Sequence, residues 1–224
     1  MCKKKQVHEK DKMKTYYYEG RMRSEEWLAN TLKSVTRIAR IKHTVRMIPC
    51  GCFSILDVGC GIGYLPNELA KKSTMVTGID MLDTNIEIAR AIKEQQNIWF
   101  KQGNADKLDE LGFEKESFDA ITATEILEHL EKPAQFLKNC HELLKKDGIL
   151  VISTPNSVSP TNILINYIKS NRDVQNEKKI FGVECDHLSE WSIRTLTRLM
   201  NHCGFKVLKF KYTKYSIVLK AKKS

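Results

Sequence analysis

Between Ile55 and Gly63 an apolar run passes into a cluster of glycines, Ile55-Leu56-Asp57-Val58-Gly59-Cys60-Gly61-Ile62-Gly63. The run reads as a buried strand and the stretch from Tyr64 as a helix, so the glycines occupy a strand-to-helix turn. Glycine has no Cβ, which lets the backbone turn sharply there and approach a ligand closely. Asp57 stands two residues ahead of the first glycine, and Asp80 closes the next strand candidate, 23 residues after Asp57. A carboxylate at the end of a second strand can accept hydrogen bonds from both ribose hydroxyls of a nucleoside. A dinucleotide site normally requires Gly-x-Gly-x-x-Gly. Here the glycines fall at 59, 61 and 63 and residue 64 is Tyr, so the spacing does not suit that class.

The rest of the chain alternates in the same way. Strands are expected at Ser54–Gly59, Met75–Asp80, Ile98–Gln102, Phe118–Thr124 and Gly148–Ser153, with helices at Tyr64–Lys71, Asp83–Gln95 and Ala134–Lys145. Regular alternation calls for a parallel sheet covered by helices on both faces. The tail departs from it: a helix over Ser192–Cys203 stops at Gly204, and two strands, Phe205–Lys211 and Ser216–Ala221, are joined by four residues. So short a link suits an antiparallel pair. The expected fold is therefore a Rossmann-like α/β domain with a seven-stranded, mostly parallel sheet carrying one antiparallel strand.

Ahead of it, Trp27, Leu28, Leu32, Val35, Ile38, Ala39 and Ile41 recur at helical spacing, with Pro49-Cys50-Gly51 as a stop. The organisation is thus a basic arm and leading amphipathic helix over 1–50, then a domain over 51–224. An insertion at about 157–184, containing the apolar stretch 161–168, is either a lid over an acceptor or a surface packing helix. No apolar run is long enough to span a bilayer, and Met1-Cys2-Lys3-Lys4-Lys5 lacks the core of a secretion signal, so a cytoplasmic protein is expected. Seven scattered cysteines without a Cys-x-x-Cys pair fit reduced thiols. The net charge of +10 divides into +8 over residues 1–50, −5 over 51–204 and +7 over 205–224. Basic ends of this kind are either solvated or meet RNA or an anionic membrane surface.

These motifs together resemble the class I S-adenosylmethionine-dependent methyltransferases. Asp57 to Gly63 match their glycine-rich first motif, Asp80 their ribose-binding acid, Gln102-Gly103-Asn104-Ala105-Asp106 their adenine-contacting segment, and Phe118-Asp119-Ala120-Ile121 their fourth-strand motif. The resemblance implies S-adenosylmethionine as cofactor, held by Asp57, Gly59, Cys60, Gly61, Asp80, Met81, Asn104, Ala105 and Glu125. Asp57 could instead order the glycine turn, and Asp119 is expected to be structural.

Methyl transfer to a hydroxyl needs alignment of donor and acceptor and a group to take the proton. The candidates lie in Thr124-Glu125-Ile126-Leu127-Glu128-His129, where a helix would bring Glu125, Glu128 and His129 onto one face at i, i+3 and i+4. His129, assisted by Glu128, is the expected catalytic pair. The segments Thr77-Gly78-Ile79-Asp80, Asn85-Ile86-Glu87-Ile88-Ala89 and Glu-x-x-Glu-His are similar to those of ubiquinone-biosynthesis O-methyltransferases, which implies a small hydroxylated acceptor. Val151-Ile152-Ser153-Thr154-Pro155-Asn156-Ser157 with Asp186-His187 and Glu190-Trp191 resembles the small-RNA 3′-terminal 2′-O-methyltransferases. That second resemblance implies a divalent cation, Mg²⁺ or Mn²⁺, on Glu125, Glu128, His129 and His187, and an RNA end as acceptor. Trp191 is expected as a core anchor rather than a stacking platform. A non-catalytic module that binds the cofactor without turnover is the remaining alternative.

Overall fold

The structure is a computed structural model that describes residues 37–160, 163 and 189–224. Trp27, Leu28, Leu32 and Val35 of the leading helix, the apolar stretch 161–168 apart from residue 163, and the Asp186-His187 segment lie outside the described residues. A helix, α1, covers 37–47. Then follow β1 (Ser54–Val58), α2 (Tyr64–Ala70), β2 (Met75–Asp80), α3 (Asp83–Ile92) and β3 (Ile98–Gln102). A 3-10 helix spans Ala105–Leu111 before β4 (Phe118–Thr124), and a short 3-10 turn spans Leu127–His129 after it. The chain closes with α4 (Pro133–Leu143), β5 (Leu144–Pro155), α5 (Ile193–His202), β6 (Phe205–Tyr212) and β7 (Ser216–Lys223).

The strands form one seven-stranded sheet in the order β3-β2-β1-β4-β5-β7-β6. β1, β2, β3, β4 and β5 pair in parallel, while β7 runs antiparallel to both β5 and β6. The expected Rossmann-like arrangement with one antiparallel strand is what the chain adopts. Interior strands buried on both faces read as continuous apolar runs, and every residue of β1 is buried.

Two apolar layers flank the sheet. On one face Leu56, Ile121, Leu150 and Leu219 pack with Phe136, Leu137 and Cys140 of α4 and Leu196 and Met200 of α5. On the other, Ile55, Val76 and Val151 pack with Met47 of α1, Leu65 and Leu69 of α2 and Ile86 and Ala89 of α3. Each fully buried aliphatic or aromatic side chain contributes about 1.5–3 kcal/mol. α1 is fastened to this layer by Lys72, whose Nζ donates to the carbonyls of Val45 at 3.0 Å and Ile48 at 2.6 Å. These close two of the orphan carbonyls at a helix C-terminus. The described cysteines, Cys50, Cys52, Cys60, Cys140 and Cys203, are free thiols. No helix among the described residues is long and apolar enough to cross a membrane.

The largest departure in element bounds is at β5, expected from Gly148 but paired from Leu144, which lies opposite Phe118 before the register shifts. Asp147 turns the backbone with φ 64, and a Cβ on Gly148 would stand 2.8 Å from the Lys145 carbonyl. Only a glycine lets the strand resume there.

Candidate functional site

The carboxyl ends of β1, β2 and β4 bring the expected residues to one edge of the sheet, where open α/β folds bind ligands. Gly59, Gly61 and Gly63 all have positive φ, at 70, 52 and 88. Their surroundings differ. A Cβ on Gly63 would lie 2.8 Å from the Phe100 ring, and one on Gly59 would lie 3.0 Å from Ile126, so both pack against protein. A Cβ on Gly61 would meet nothing within 4 Å, which leaves the middle of the turn open to a ligand.

The carboxylate that orders this turn is Asp80. Its Oδ2 accepts the Gly61 amide at 2.8 Å, and its Oδ1 accepts the Leu82 amide and the Asn85 side chain, both at 3.0 Å. The Cys60 amide completes the tie by donating to the Ile79 carbonyl at 2.8 Å. Asp57 has a different environment: it is buried, it accepts the Thr122 hydroxyl at 2.5 Å, and its second oxygen has no hydrogen-bond partner. Burial pushes its carboxyl up to about 7; the Thr122 hydrogen bond opposes the shift and the charge of Asp80 adds to it. Asp57 is therefore a buried neighbour of the turn and makes none of its amide hydrogen bonds.

At the second strand's end Met81 is 60% exposed, an apolar platform beside Asp80. Asn104 caps the 3-10 helix by accepting the Asp106 amide at 2.9 Å, which leaves its amide nitrogen to donate outward, and Ala105 beside it is buried. Asp119 is structural as expected. Burial works against its charge, but Lys145 and the amides of Ser54 and Phe53 donate to it and hold it below the ordinary carboxyl range.

At the end of β4 the structure departs from expectation. Glu125, Glu128 and His129 do not share a face of an α-helix. Glu125 has φ 54, and its amide still donates to the Ser153 carbonyl at 2.8 Å, so it remains tied to β5. The following residues form only a 3-10 turn. The Glu125 carboxylate accepts the hydroxyls of Ser153 at 3.0 Å and Ser216 at 3.3 Å and faces Arg40 of α1 at 3.5 Å. Glu128 is 2% exposed, with Oε2 accepting the Thr154 hydroxyl at 3.0 Å and Oε1 unpartnered. Burial, reinforced by the charge of Glu125, pushes its carboxyl up to about 8. His129 is exposed, and its Nε2 lies 3.9 Å from Glu128 Oε1.

This arrangement does not suit the cation suggested by the second resemblance. Both Glu125 oxygens are engaged by hydroxyls and by Arg40, and one Glu128 oxygen accepts the Thr154 hydroxyl. Among the described residues, no group of three His, Cys, Asp or Glu side chains is placed to hold a metal ion. His187, the fourth expected ligand, lies outside the described residues. Arg40, Thr122 and Ser216 are the site residues that local motifs miss, and Ser153 and Thr154, though part of the quoted run at the end of β5, gave no sign of their hydrogen bonds to Glu125 and Glu128. Trp191 is partly buried against the apolar layer that contains Leu196 and Met200, as expected of a core anchor.

A family described as a methyltransferase domain matches residues 19–209. A ubiquinone biosynthesis O-methyltransferase of Coxiella burnetii is 38% identical over 117 residues, 52% of this chain and 50% of the relative. The chain thus aligns with about half the length of the curated relatives it matches. Among solved structures, a Methanosarcina mazei S-adenosylmethionine-dependent methyltransferase is 22% identical with a TM-score of 0.61, covering 80% of this chain and 95% of the other. One from Mesorhizobium loti is 17% identical with a TM-score of 0.63, covering 81% and 96%. Because the family match runs without a break from ahead of α1 into β6, the chain belongs to the methyltransferase domain family, with the fold of the class I S-adenosylmethionine-dependent methyltransferases.

Proposed function

We propose that the protein transfers the methyl group of S-adenosylmethionine to a hydroxyl oxygen of a small acceptor. The observation that carries the reading is the open space over Gly61 in a turn that Asp80 orders at the same sheet edge as Glu128 and His129. Asp80 already accepts three N–H groups, two on Oδ1 and one on Oδ2, which leaves a lone pair on Oδ2 for a ribose hydroxyl. Met81 would pack on the adenine and the Asn104 amide would donate to it, beside Ala105. Gly59, Cys60 and Gly61 would shape the backbone around the cofactor. The zwitterionic methionine end carries one carboxylate and one ammonium, which are the complements of Arg40 and Glu125. Those two side chains hold each other at 3.5 Å in the free site and would each exchange that partner for the cofactor's. Asp57 would act from beneath the turn.

In the transfer step, a lone pair of the acceptor oxygen forms the new C–O bond as the S–C bond breaks, and the sulfur leaves as a neutral thioether. The acceptor's proton goes to His129, which is the exposed base of the pair. Glu128, neutral over most of the physiological range, positions the imidazole from below. No step draws on a cation. Acceptor oxygen, rather than nitrogen, is supported by the Coxiella relative named as an O-methyltransferase.

The test combines calorimetry with S-adenosylmethionine and turnover on quinol-like acceptors, with and without EDTA. Asp80→Asn should weaken cofactor binding by about tenfold or more, the loss of one charge-assisted hydrogen bond. His129→Gln should reduce kcat by about 10²–10⁴-fold with little change in cofactor affinity. Methyl groups recovered on nitrogen, or full turnover in His129→Gln, would overturn the assignment. Loss of turnover with EDTA would restore the cation.

A further inference from the structure

Between α1 and α2 lies an open cavity of about 410 Å³. Its walls include Ile38, Ile41 and Val45, with Lys42, Arg46 and Tyr64. The α1 residues fall at i, i+3, i+4, i+7 and i+8, so one stripe of the helix faces the cavity. Thr44, Met47 and Ile48 of the same segment are buried, and Ile41 and Val45 lie between that buried face and the exposed Lys42 and Arg46, packing in part against the apolar layer beneath α1.

The charges on that stripe are unbalanced. Lys42 and Arg46 are one turn apart on the same helix face, an arrangement that repels unless an anion sits between the two. Neither forms an ion pair among the described residues. The one acid on the wall, Glu68, is itself engaged by Lys71 at 2.6 Å. The volume lies within the range of small-ligand sites and accommodates roughly a dozen water-sized groups at ~30 Å³ each.

We infer that the α1–α2 cavity binds an anionic amphiphile: an apolar chain or ring system seated on Ile38, Ile41 and Val45, with a carboxylate or phosphate head held by Lys42 and Arg46. The site is distinct from the acceptor edge at His129, and its existence does not depend on the acceptor proposed above. It adjoins the cofactor turn through Tyr64, the residue after Gly63.

Calorimetry on the full chain tests the inference with decanoate, decyl phosphate and decanol as probes. The expected result is binding of at least one of the two anions, with decanol at least tenfold weaker; the stronger anion identifies the head group. The double variant Lys42→Glu, Arg46→Glu should weaken the preferred anion at least tenfold, and Val45→Trp, which fills the cavity, should abolish its binding. Both variants should still bind S-adenosylmethionine, which reports an intact fold. If Val45→Trp fails to fold, the surface charge reversal decides the matter alone. Equal affinity for decanol and the anions, no binding of any probe, or unchanged affinity in the charge reversal would overturn the site.

Discussion

Replacing Glu128 by Gln tests the claim that a buried carboxyl sits neutral beside the reacting groups. Glu128 is 2% exposed, and burial followed by the charge of Glu125 raises its carboxyl from an ordinary 4.5 to about 8. In the unfolded chain the same group ionises near its ordinary value. The folded state therefore holds a proton that the unfolded state releases, and this stabilisation is complete below pH ~4.5 and lost as pH rises through ~8. At 1.36 kcal/mol per pH unit, the full loss is on the order of 5 kcal/mol. Glutamine has nearly the same shape, keeps an oxygen for the Thr154 hydroxyl, and does not titrate. Urea unfolding of both proteins at fixed ionic strength between pH 5 and 8.5 should show Glu128→Gln gaining on the parent as pH rises, by about 2–4 kcal/mol across the range. Asp57, raised to about 7, titrates in both proteins and cancels in the difference. Parallel stability profiles, agreeing within about 0.5 kcal/mol, would refute the neutral carboxyl and with it the assignment of His129 as the base.

Two further perturbations separate binding from folding. Gly63→Ala should lower unfolding free energy by about 2–4 kcal/mol, because its Cβ meets the Phe100 ring at 2.8 Å in a left-handed conformation. Gly61→Ala should lower it by only about 1–2 kcal/mol but weaken S-adenosylmethionine binding at least tenfold, since its Cβ enters open space. Thermal melts and calorimetry on the pair check the contrast, and similar losses of affinity in both would remove it. Lys72→Met should speed amide exchange at the end of α1 while leaving β2 and β3 unchanged, because the Val45 and Ile48 carbonyls lose their donor.

The cofactor half of the site was legible because its requirements fall on the backbone. Positive φ at 59, 61 and 63 can be met without strain only by glycine, so the conformation leaves a trace in residue type. Asp80 is legible for a related reason: a strand end is a fixed place, and a carboxylate there can reach the amide of Gly61 across the turn. The parallel body of the sheet followed from alternation and its antiparallel pair from the short link between β6 and β7, while the strand order came only with the fold. What alternation could not give was the start of β5, where a bulge opposite Phe118 and the left-handed Asp147 break the strand pattern.

The acceptor half is built differently, and that is why a helical reading of Glu125 to His129 failed. Spacing of i, i+3 and i+4 places side chains together only if the backbone between them is helical. Glu125 is instead pulled into left-handed geometry by its hydrogen bond to Ser153 and by side chains from β5, β7 and α1. Those partners are far apart in sequence, and no motif that contains them announces the pairing. Arg40 shows the same thing from the other side: within α1 it is one more polar residue of an amphipathic helix. Only the packing of α1 against the sheet gives it Glu125 as a neighbour. Local motifs therefore locate a turn whose requirements are written in backbone conformation. The carboxylates at the end of β4 are set by long-range side-chain pairs, and for these the fold has to be known first.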